Sequence, residues 1–86
     1  MHTDEYEISL YRELGVCRKA IQELEKNLGR FENKYNLVTA DFVERYTNGE
    51  LESNGDFALW NENHESLRRW TERGRQYETV LRLMRI

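Results

Sequence analysis

The stretch that decides the fold is LYRELGVCRKAIQELEKNLGRFENKY, residues 10–35, whose apolar side chains recur in alternating steps of four and three. An average spacing of 3.5 residues is the heptad repeat of helices that pack along a continuous seam. The stretch therefore predicts one long helix with a single apolar stripe, from about residue 4 to residue 35. The stripe consists of Leu10, Leu14, Cys17, Ile21, Leu24, Leu28, Phe31 and Tyr35.

Signals for helix ends flank this stretch on both sides. Asp4 and Glu7 have the spacing of a capping box, which would satisfy backbone amides at the start of the helix. After the stretch, Thr39 is a favourable N-cap for a short helix over about residues 40–48. Gly49 is expected to end that helix, because glycine readily takes the left-handed conformation that follows many helices.

A second long helix is predicted over about residues 56–84, after an acidic loop. Its apolar positions again follow steps of three and four, although the stripe is less regular. Gly74 falls within the stripe and predicts a hole for a bulky side chain from a facing helix. The candidates to fill this hole are Phe31, Tyr35 and the Trp70 of a second copy. The stripe consists of Phe57, Trp60, His64, Leu67, Trp70, Gly74, Tyr77, Leu81 and Met84.

Two long helices joined by a short one predict an all-α fold, a long antiparallel helical hairpin forming a single domain of residues 1–86. A chain of 86 residues buries only about 60–65% of its unfolded surface, so a lone core is marginal. Four aromatic residues exceed what one hairpin can cover and predict a homodimeric four-helix bundle. These aromatics are Trp60, Trp70, Tyr77 and Tyr11. The residues predicted for the core and the dimer seam are Leu14, Ile21, Leu24, Leu28, Phe31, Trp60, Leu67, Trp70, Tyr77 and Leu81.

The composition excludes several classes of protein. No apolar run approaches the roughly 20 residues that span a bilayer, and the acidic N-terminus lacks the features of a signal peptide. These features predict a soluble, cytoplasmic protein without a membrane partner. Cys17 is the only cysteine, which excludes an internal disulfide and a zinc cluster made of thiolates.

Charge is distributed unevenly along the chain. Residues 1–66 hold 7 Lys/Arg and 14 Asp/Glu, a net charge of −7, whereas residues 67–86 hold 6 Arg and 2 Glu, a net charge of +4. The arginines would suit nucleic acid or an acidic protein partner, or they would pair with acids of the first helix. The overall charge of −3 favours pairing. The arginines are Arg68, Arg69, Arg73, Arg75, Arg82 and Arg85, and the acids of the first helix are Glu13, Glu23, Glu25 and Glu32.

No group of residues predicts catalysis, a cofactor or a metal ion. In the acidic loop, Glu50 and Asn61 stand where a calcium loop needs an aspartate and a bidentate carboxylate. His64 lacks a nearby nucleophile or metal-ligand spacing, and we interpret it as a structural or interfacial residue. Cys17 lies on the apolar stripe and is interpreted as a small buried hydrophobe. The chain is therefore predicted not to be an enzyme.

The middle of the chain resembles one element of a known group of proteins. The pattern is similar to the KYG-x5-F-x3-Y…GEL…D-x3-W element of short bacterial and archaeal helical proteins, whose genes often adjoin small toxin-like genes. Asn36 stands in place of the usual glycine, and Phe57 directly follows Asp56. The resemblance covers roughly residues 30–70 and implies an antitoxin-like, partner-binding module. It rests on Lys34, Tyr35, Phe42, Tyr46, Gly49, Glu50, Leu51, Asp56 and Trp60.

Together these observations predict a homodimeric helical module that binds another protein, such as a toxin. The alternative is a nucleic-acid-binding protein that uses the arginines of the last helix. If Leu24 and Trp70 lie in the core or the dimer seam, replacing either by alanine is expected to cost about 2–5 kcal/mol of stability.

Overall fold

Three helices account for most of the chain. The computed structural model describes residues 5–84, which form α1 (Glu5–Tyr35), α2 (Thr39–Thr47) and α3 (Gly55–Met84). The all-α prediction is confirmed, and the helix bounds differ from the predicted ones by about one residue. The predicted capping residue Asp4 lies outside the described residues, as do His2 and Arg85.

Helices α1 and α3 pack against each other in antiparallel orientation. Leu10, near the start of α1, lies in one apolar cluster with Leu81, near the end of α3. Leu28, near the end of α1, lies in a second cluster with Trp60, near the start of α3. The result is a hairpin about 58 Å long, with a separate apolar cluster towards each end.

The two clusters differ in size and composition. The terminal cluster contains Leu10, Leu14 and Leu81, with Tyr77 and Val80 packed against it. The aromatic cluster lies at the other end, where α2 folds against the hairpin, and it has many more members. It contains Leu28, Phe42 and Trp60, with Phe31, Tyr35, Leu37, Val43, Tyr46, Leu51, Phe57 and Leu67 packed around them.

Trp60 is the centre of the aromatic cluster and is buried within its own chain. Its indole ring is 0% exposed and stacks on the Phe42 ring of α2, with the ring centroids 3.9 Å apart. The indole N–H donates a hydrogen bond to Thr39 Oγ1 over 3.1 Å. The expectation that Trp60 needs a second subunit for its burial was therefore wrong, because the short helix α2 covers it.

The start of α2 also differs from the prediction. Val38 is the N-cap, in extended conformation, and Thr39 is the first residue of the helix. The Thr39 backbone N–H donates to a carboxylate oxygen of Glu32 over 2.8 Å, so an acid of α1 satisfies this amide. The Thr39 side chain is not free to cap the helix, because it accepts the hydrogen bond from Trp60.

Both ends of the connection around α2 use a left-handed residue. Asn36 has φ of 50° and Gly49 has φ of 71°. After α2, the N–H groups of Gly49 and Glu50 donate to carbonyls of the last helical turn, as in a Schellman motif. The predicted end of α2 at Gly49 is confirmed. Asn36 follows α1 in the same left-handed conformation, which is the one that glycine usually supplies. Asparagine is among the few other residues that take this conformation routinely.

The space beside Gly74 is occupied by residues other than those predicted. A Cβ atom at position 74 would lie 3.7 Å from Cys17 Cβ and 3.9 Å from a methyl group of Leu14. Phe31 and Tyr35 lie at the aromatic end instead, on the other side of the middle of the hairpin. Gly74 therefore allows close approach of α1 and α3 at a small residue, rather than accepting a bulky side chain of α1.

Candidate interaction surface

One side of the hairpin carries a second apolar pattern, next to the seam. Starting at Leu59, positions spaced by alternating four and three residues run along α3, so they share one side of the helix. On α1, the same side of the hairpin is formed by Glu13, Val16, Ala20, Leu24 and Asn27. We call this side the Trp70 face. Its α3 residues are Leu59, Asn63, Ser66, Trp70, Arg73, Tyr77, Val80 and Met84.

Contacts between the helices fix the sides of the hairpin. The Asn27 amide donates to the Asn63 amide oxygen over 3.3 Å, which places these two residues on the same side. A shallow groove on that side is lined by residues of α1 and α3, including Phe31 and Leu59, and α2 does not cover it. The Trp70 face is therefore open to solvent along the hairpin.

The apolar residues of the Trp70 face are only partly covered. Leu59 is 54% exposed and Val16 is 49% exposed. Leu24 and Trp70 are half-buried, and they belong to neither apolar cluster. The middle of the hairpin thus contributes less to the internal core than its two ends do.

The opposite side of the hairpin is charged. Arg18 of α1 lies 3.9 Å from Glu78 of α3, which places both residues on this side. We call this side the Arg75 face. Its α3 residues are His64, Arg68, Thr71, Arg75, Glu78 and Arg82, and the α1 residues next to them are Tyr11, Arg18 and Glu25.

The arginines of α3 pair mostly with acids of their own helix. Arg68 lies 3.5 Å from Glu65, Arg69 lies 3.7 Å from Glu62, and Arg75 lies 2.8 Å from Glu72. Among residues 5–84, no ion pair within 4.0 Å joins an α3 arginine to an acid of α1. The arginines do pair within the chain, but with acids of α3 in place of the expected acids of α1, and pairing with α1 of a second copy stays a prediction. Glu65 and Arg68, like Glu72 and Arg75, are three residues apart, a spacing at which side chains are neighbours on a helix. Glu62 and Arg69 are seven residues apart and share one side of α3.

Arg73 has a different neighbour from the other arginines. Its guanidinium group lies 4.9 Å from the centre of the Trp70 ring, in a cation–π arrangement. Arg82 is exposed beside Tyr11, Arg18 and Glu78, at the end of the Arg75 face. Of the five predicted partner-binding arginines, Arg68, Arg75 and Arg82 share the Arg75 face, whereas Arg69 and Arg73 lie further round α3. A shallow depression on the surface of α3 is lined by four of them, Arg68, Arg69, Arg73 and Arg75.

A polar cluster closes the aromatic end of the hairpin. Asp56 accepts hydrogen bonds from Lys34 Nζ over 2.6 Å and from the Tyr35 hydroxyl over 2.5 Å. The Lys34 bond, followed by the Tyr35 bond, lowers the pKa of Asp56. The bond to Asp56 raises the pKa of Lys34 and of Tyr35. The cluster links the end of α1 to the start of α3.

The residues predicted for the core and seam lie at different depths. Leu14, Leu28, Trp60 and Leu81 are buried. The other six are half-buried: Ile21, Leu24, Phe31, Leu67, Trp70 and Tyr77. Phe42 is absent from the residues predicted for the core and seam, although it is 0% exposed. The signal that could have found it is the resemblance, whose residues Tyr35, Phe42, Tyr46, Leu51 and Trp60 all lie in the aromatic cluster.

The remaining candidate residues, Cys17 and His64, differ in burial. Cys17 is buried, and loss of hydration in this site raises the pKa of its thiol. His64 is half-buried and forms no side-chain hydrogen bond or ion pair with another residue of 5–84. Within that range, no group of three or more His, Cys, Asp or Glu side chains is placed to hold a metal ion.

A search of residues 5–84 for a helix long and apolar enough to cross a membrane finds none. In comparisons with protein-family models, with curated proteins and with solved structures, nothing matches this chain.

Proposed function

We propose that this chain is a helical protein-interaction module that self-associates as a homodimer and binds a second protein. The observation that supports this proposal is the partly covered Trp70 face, where a tryptophan and several aliphatic side chains lie outside the internal clusters. Large exposed apolar patches on small proteins mark association surfaces. A lone hairpin of this length leaves such a patch uncovered, and a four-helix bundle would cover it.

The antitoxin-like role belongs to the same proposal. It is supported by the resemblance of residues 30–70, whose motif residues build the aromatic cluster that docks α2. In this proposal those residues maintain the fold, and the partner binds to surfaces on the long helices. No catalytic step, cofactor or metal ion takes part, and the location is the cytoplasm.

The experiment that tests self-association is sedimentation equilibrium of the purified chain over a hundredfold range of micromolar concentration. We expect a dimer mass that falls towards the monomer mass on dilution. A monomer mass at every concentration would overturn the homodimer.

The second protein is tested by copurification of the tagged chain from its own host after nuclease treatment. We expect one protein in constant ratio to the chain, and the same pair should re-form from separately purified components. Absence of such a component would overturn partner binding and leave self-association as the function.

Nucleic-acid binding is the second candidate, and the ion pairs weigh against it. Arg68, Arg69 and Arg75 each have a carboxylate within 4.0 Å, so a phosphate would compete with an acid already in place. Retention of DNA or RNA at low salt, lost on replacing Arg68, Arg75 and Arg82 by alanine, would favour this candidate. We expect no retention.

A further inference from the structure

We infer that a second copy of the chain binds to the Trp70 face, with α1 of each copy packed antiparallel against α3 of the other. The twofold axis of this dimer runs along the length of the hairpin. The inference rests on the proposed homodimer and specifies its interface. The Arg75 face then remains available on the outside of the bundle.

The position of each residue along the long axis of the hairpin, which we call its height, determines the contacts in such a dimer. The numbers of residues that contact each other across α1 and α3 add up to about 90, as in Asn27–Asn63, Lys34–Asp56 and Cys17–Gly74. The long side chains of Arg18 and Glu78 reach each other at a larger sum, 96. By this rule Ala20 lies level with Trp70, at the middle of both long helices. An axis along the hairpin keeps every residue at its own height, so Ala20 faces the partner's Trp70.

The sizes of the side chains favour this arrangement. Ala20 is the smallest α1 residue of the Trp70 face, and it offers space opposite the largest residue of α3. One level along, Leu24 faces Ser66 of the partner, again a large residue opposite a small one. A twofold axis across the hairpin would instead put Trp70 against the partner's Trp70. It would also leave two alanines facing each other, so the packing would be poorer.

The charges at the edge of the Trp70 face are complementary in the same arrangement. Glu23 lies at nearly the same height as Arg69, and Arg30 lies at nearly the same height as Glu62. In each copy these side chains point away from the other long helix, towards the outer edge of the face. In the dimer Glu23 meets the partner's Arg69, and Arg30 meets the partner's Glu62, each pair occurring twice. These contacts extend the ion pairs Glu23–Lys26 and Glu62–Arg69 that each copy already contains, so no carboxylate has to be displaced. Such edge charges set the orientation of packed helices.

The area of the Trp70 face matches what a stable dimer needs. The α3 positions from Leu59 to Met84 span about 37 Å at ~1.5 Å per residue, and two helices side by side are about 20 Å wide. The footprint is therefore about 700 Å² per copy, close to the ~800 Å² per partner of a stable interface. Only full overlap of the two faces reaches this value.

Charge reversal at the edge of the face tests the inference. Glu23→Arg and Arg69→Glu each place two pairs of like charges across the dimer, and the double variant restores opposite charges. We expect each single variant to raise the dimer dissociation constant about tenfold. The double variant should return to within about threefold of the parent, which corresponds to less than ~0.7 kcal/mol. Sedimentation equilibrium measures the constants.

Matched controls lie on the Arg75 side of the same helices. Glu25→Arg and Arg68→Glu make the same charge changes two residues and one residue away, and they should leave the dimer unchanged. A second test replaces Ala20 by arginine, which should abolish the dimer, with Gln22→Arg as its control. Circular dichroism of each variant checks that the helices still form.

The outcomes separate this inference from the proposed function. If the parent chain is monomeric, the proposed homodimer fails and the inference fails with it. If the parent is a dimer that Glu23→Arg, Arg69→Glu and Ala20→Arg leave intact, self-association stands and the Trp70 face is overturned as its site. Loss of the dimer in both single variants without recovery in the double variant would overturn the α1–α3 pairing.

Discussion

Trp60 and Thr39 form a buried hydrogen bond between the aromatic cluster and the start of α2. The indole N–H has no access to water, because the ring is 0% exposed, and Thr39 Oγ1 accepts its hydrogen 3.1 Å away. A buried donor that loses its acceptor costs more than an exposed one, since neither protein nor water replaces the bond. This pair therefore fixes the position of α2 on the hairpin as well as satisfying a buried group.

Replacement of Thr39 by valine tests this contact. Valine keeps the shape of threonine but removes the acceptor, so the chain should lose about 1–3 kcal/mol of unfolding free energy. Urea unfolding followed by tryptophan fluorescence measures the loss. Thr47→Val, at the exposed end of the same helix, is the control and should change stability by less than ~0.5 kcal/mol. Equal losses in the two variants would contradict a buried hydrogen bond.

Asp56 makes stability depend on pH in a defined direction. The folded state lowers the pKa of Asp56 below its ordinary value of 3.8, chiefly through the bond from Lys34. The stabilisation is therefore complete above that value, and it disappears as the pH falls through the lowered pKa. On the alkaline side, the pKa of Lys34 is raised above 10.5, so its contribution is lost as the pH rises through the raised value.

The variant Asp56→Asn should remove both effects. The parent is expected to be more stable than the variant at neutral pH, with the difference shrinking as the pH falls below 3.8 and as it rises above 10.5. Thermal melts over this range measure it. The variant Glu52→Gln, in the exposed loop before α3, is the control, and its stability should depend on pH in the same way as that of the parent. A stability difference between parent and variant that does not change with pH would mean that the charge of Asp56 does not contribute to stability.

At the scale of the helices, α3 contacts α1 through a small residue, Gly74, which lies against Cys17 and Leu14. A Cβ added at Gly74 would meet Cys17 Cβ at 3.7 Å, which is ordinary van der Waals contact. Gly74→Ala should therefore fit without strain and stabilise the chain by about 1 kcal/mol, because alanine favours a helix over glycine. Chemical denaturation is the measurement.

A larger side chain at the same position should have the opposite effect. In Gly74→Leu, the atoms beyond Cβ would have to fit beside Cys17 and Leu14, so the substitution is expected to cost about 1–3 kcal/mol. Gly15 provides the contrast, because nothing lies within 4 Å of a Cβ added there, and Gly15→Leu should be tolerated. If leucine is accepted equally at both positions, the helices are not held in close contact at Gly74.

The sequence predicted the helices better than their contacts. The heptad spacing from Leu10 to Tyr35 is a local signal, and it identified α1 and the face that α1 turns towards α3. The placement of α2 depends on a tertiary contact between residues 21 apart, Thr39 and Trp60. No local pattern reveals that Thr39 accepts a hydrogen bond from the Trp60 indole. Its assignment as an N-cap was therefore reasonable but wrong.

At the scale of the whole molecule, the arginines illustrate a similar limit. Their number and the acidity of α1 predicted pairing between helices. The structure instead pairs Arg68, Arg69 and Arg75 with acids of α3. Charge counts over long segments do not resolve which side of a helix each residue occupies. Helical periodicity does, and it is also what separates the Trp70 face from the Arg75 face.

The half-buried positions of Leu24 and Trp70 change what their replacement by alanine should do. Within one hairpin neither side chain is fully covered, so the loss of folding stability should fall below the cost at a core position such as Trp60. In the proposed dimer, the larger effect of Trp70→Ala would be on association.

The uneven division of the core between two clusters has a consequence for local opening of the chain. Amide hydrogens exchange with solvent through partial unfolding, and segments with few apolar contacts open at lower free energy. The three-residue terminal cluster with two neighbours holds the outer parts of α1 and α3, whereas eleven side chains hold the aromatic end. Amides of residues 28–33 and 60–67 should therefore exchange more slowly than those of residues 9–14 and 77–82. Mass spectrometry of deuterated peptides would measure this gradient, and uniform protection along both helices would mean that the hairpin opens as one unit.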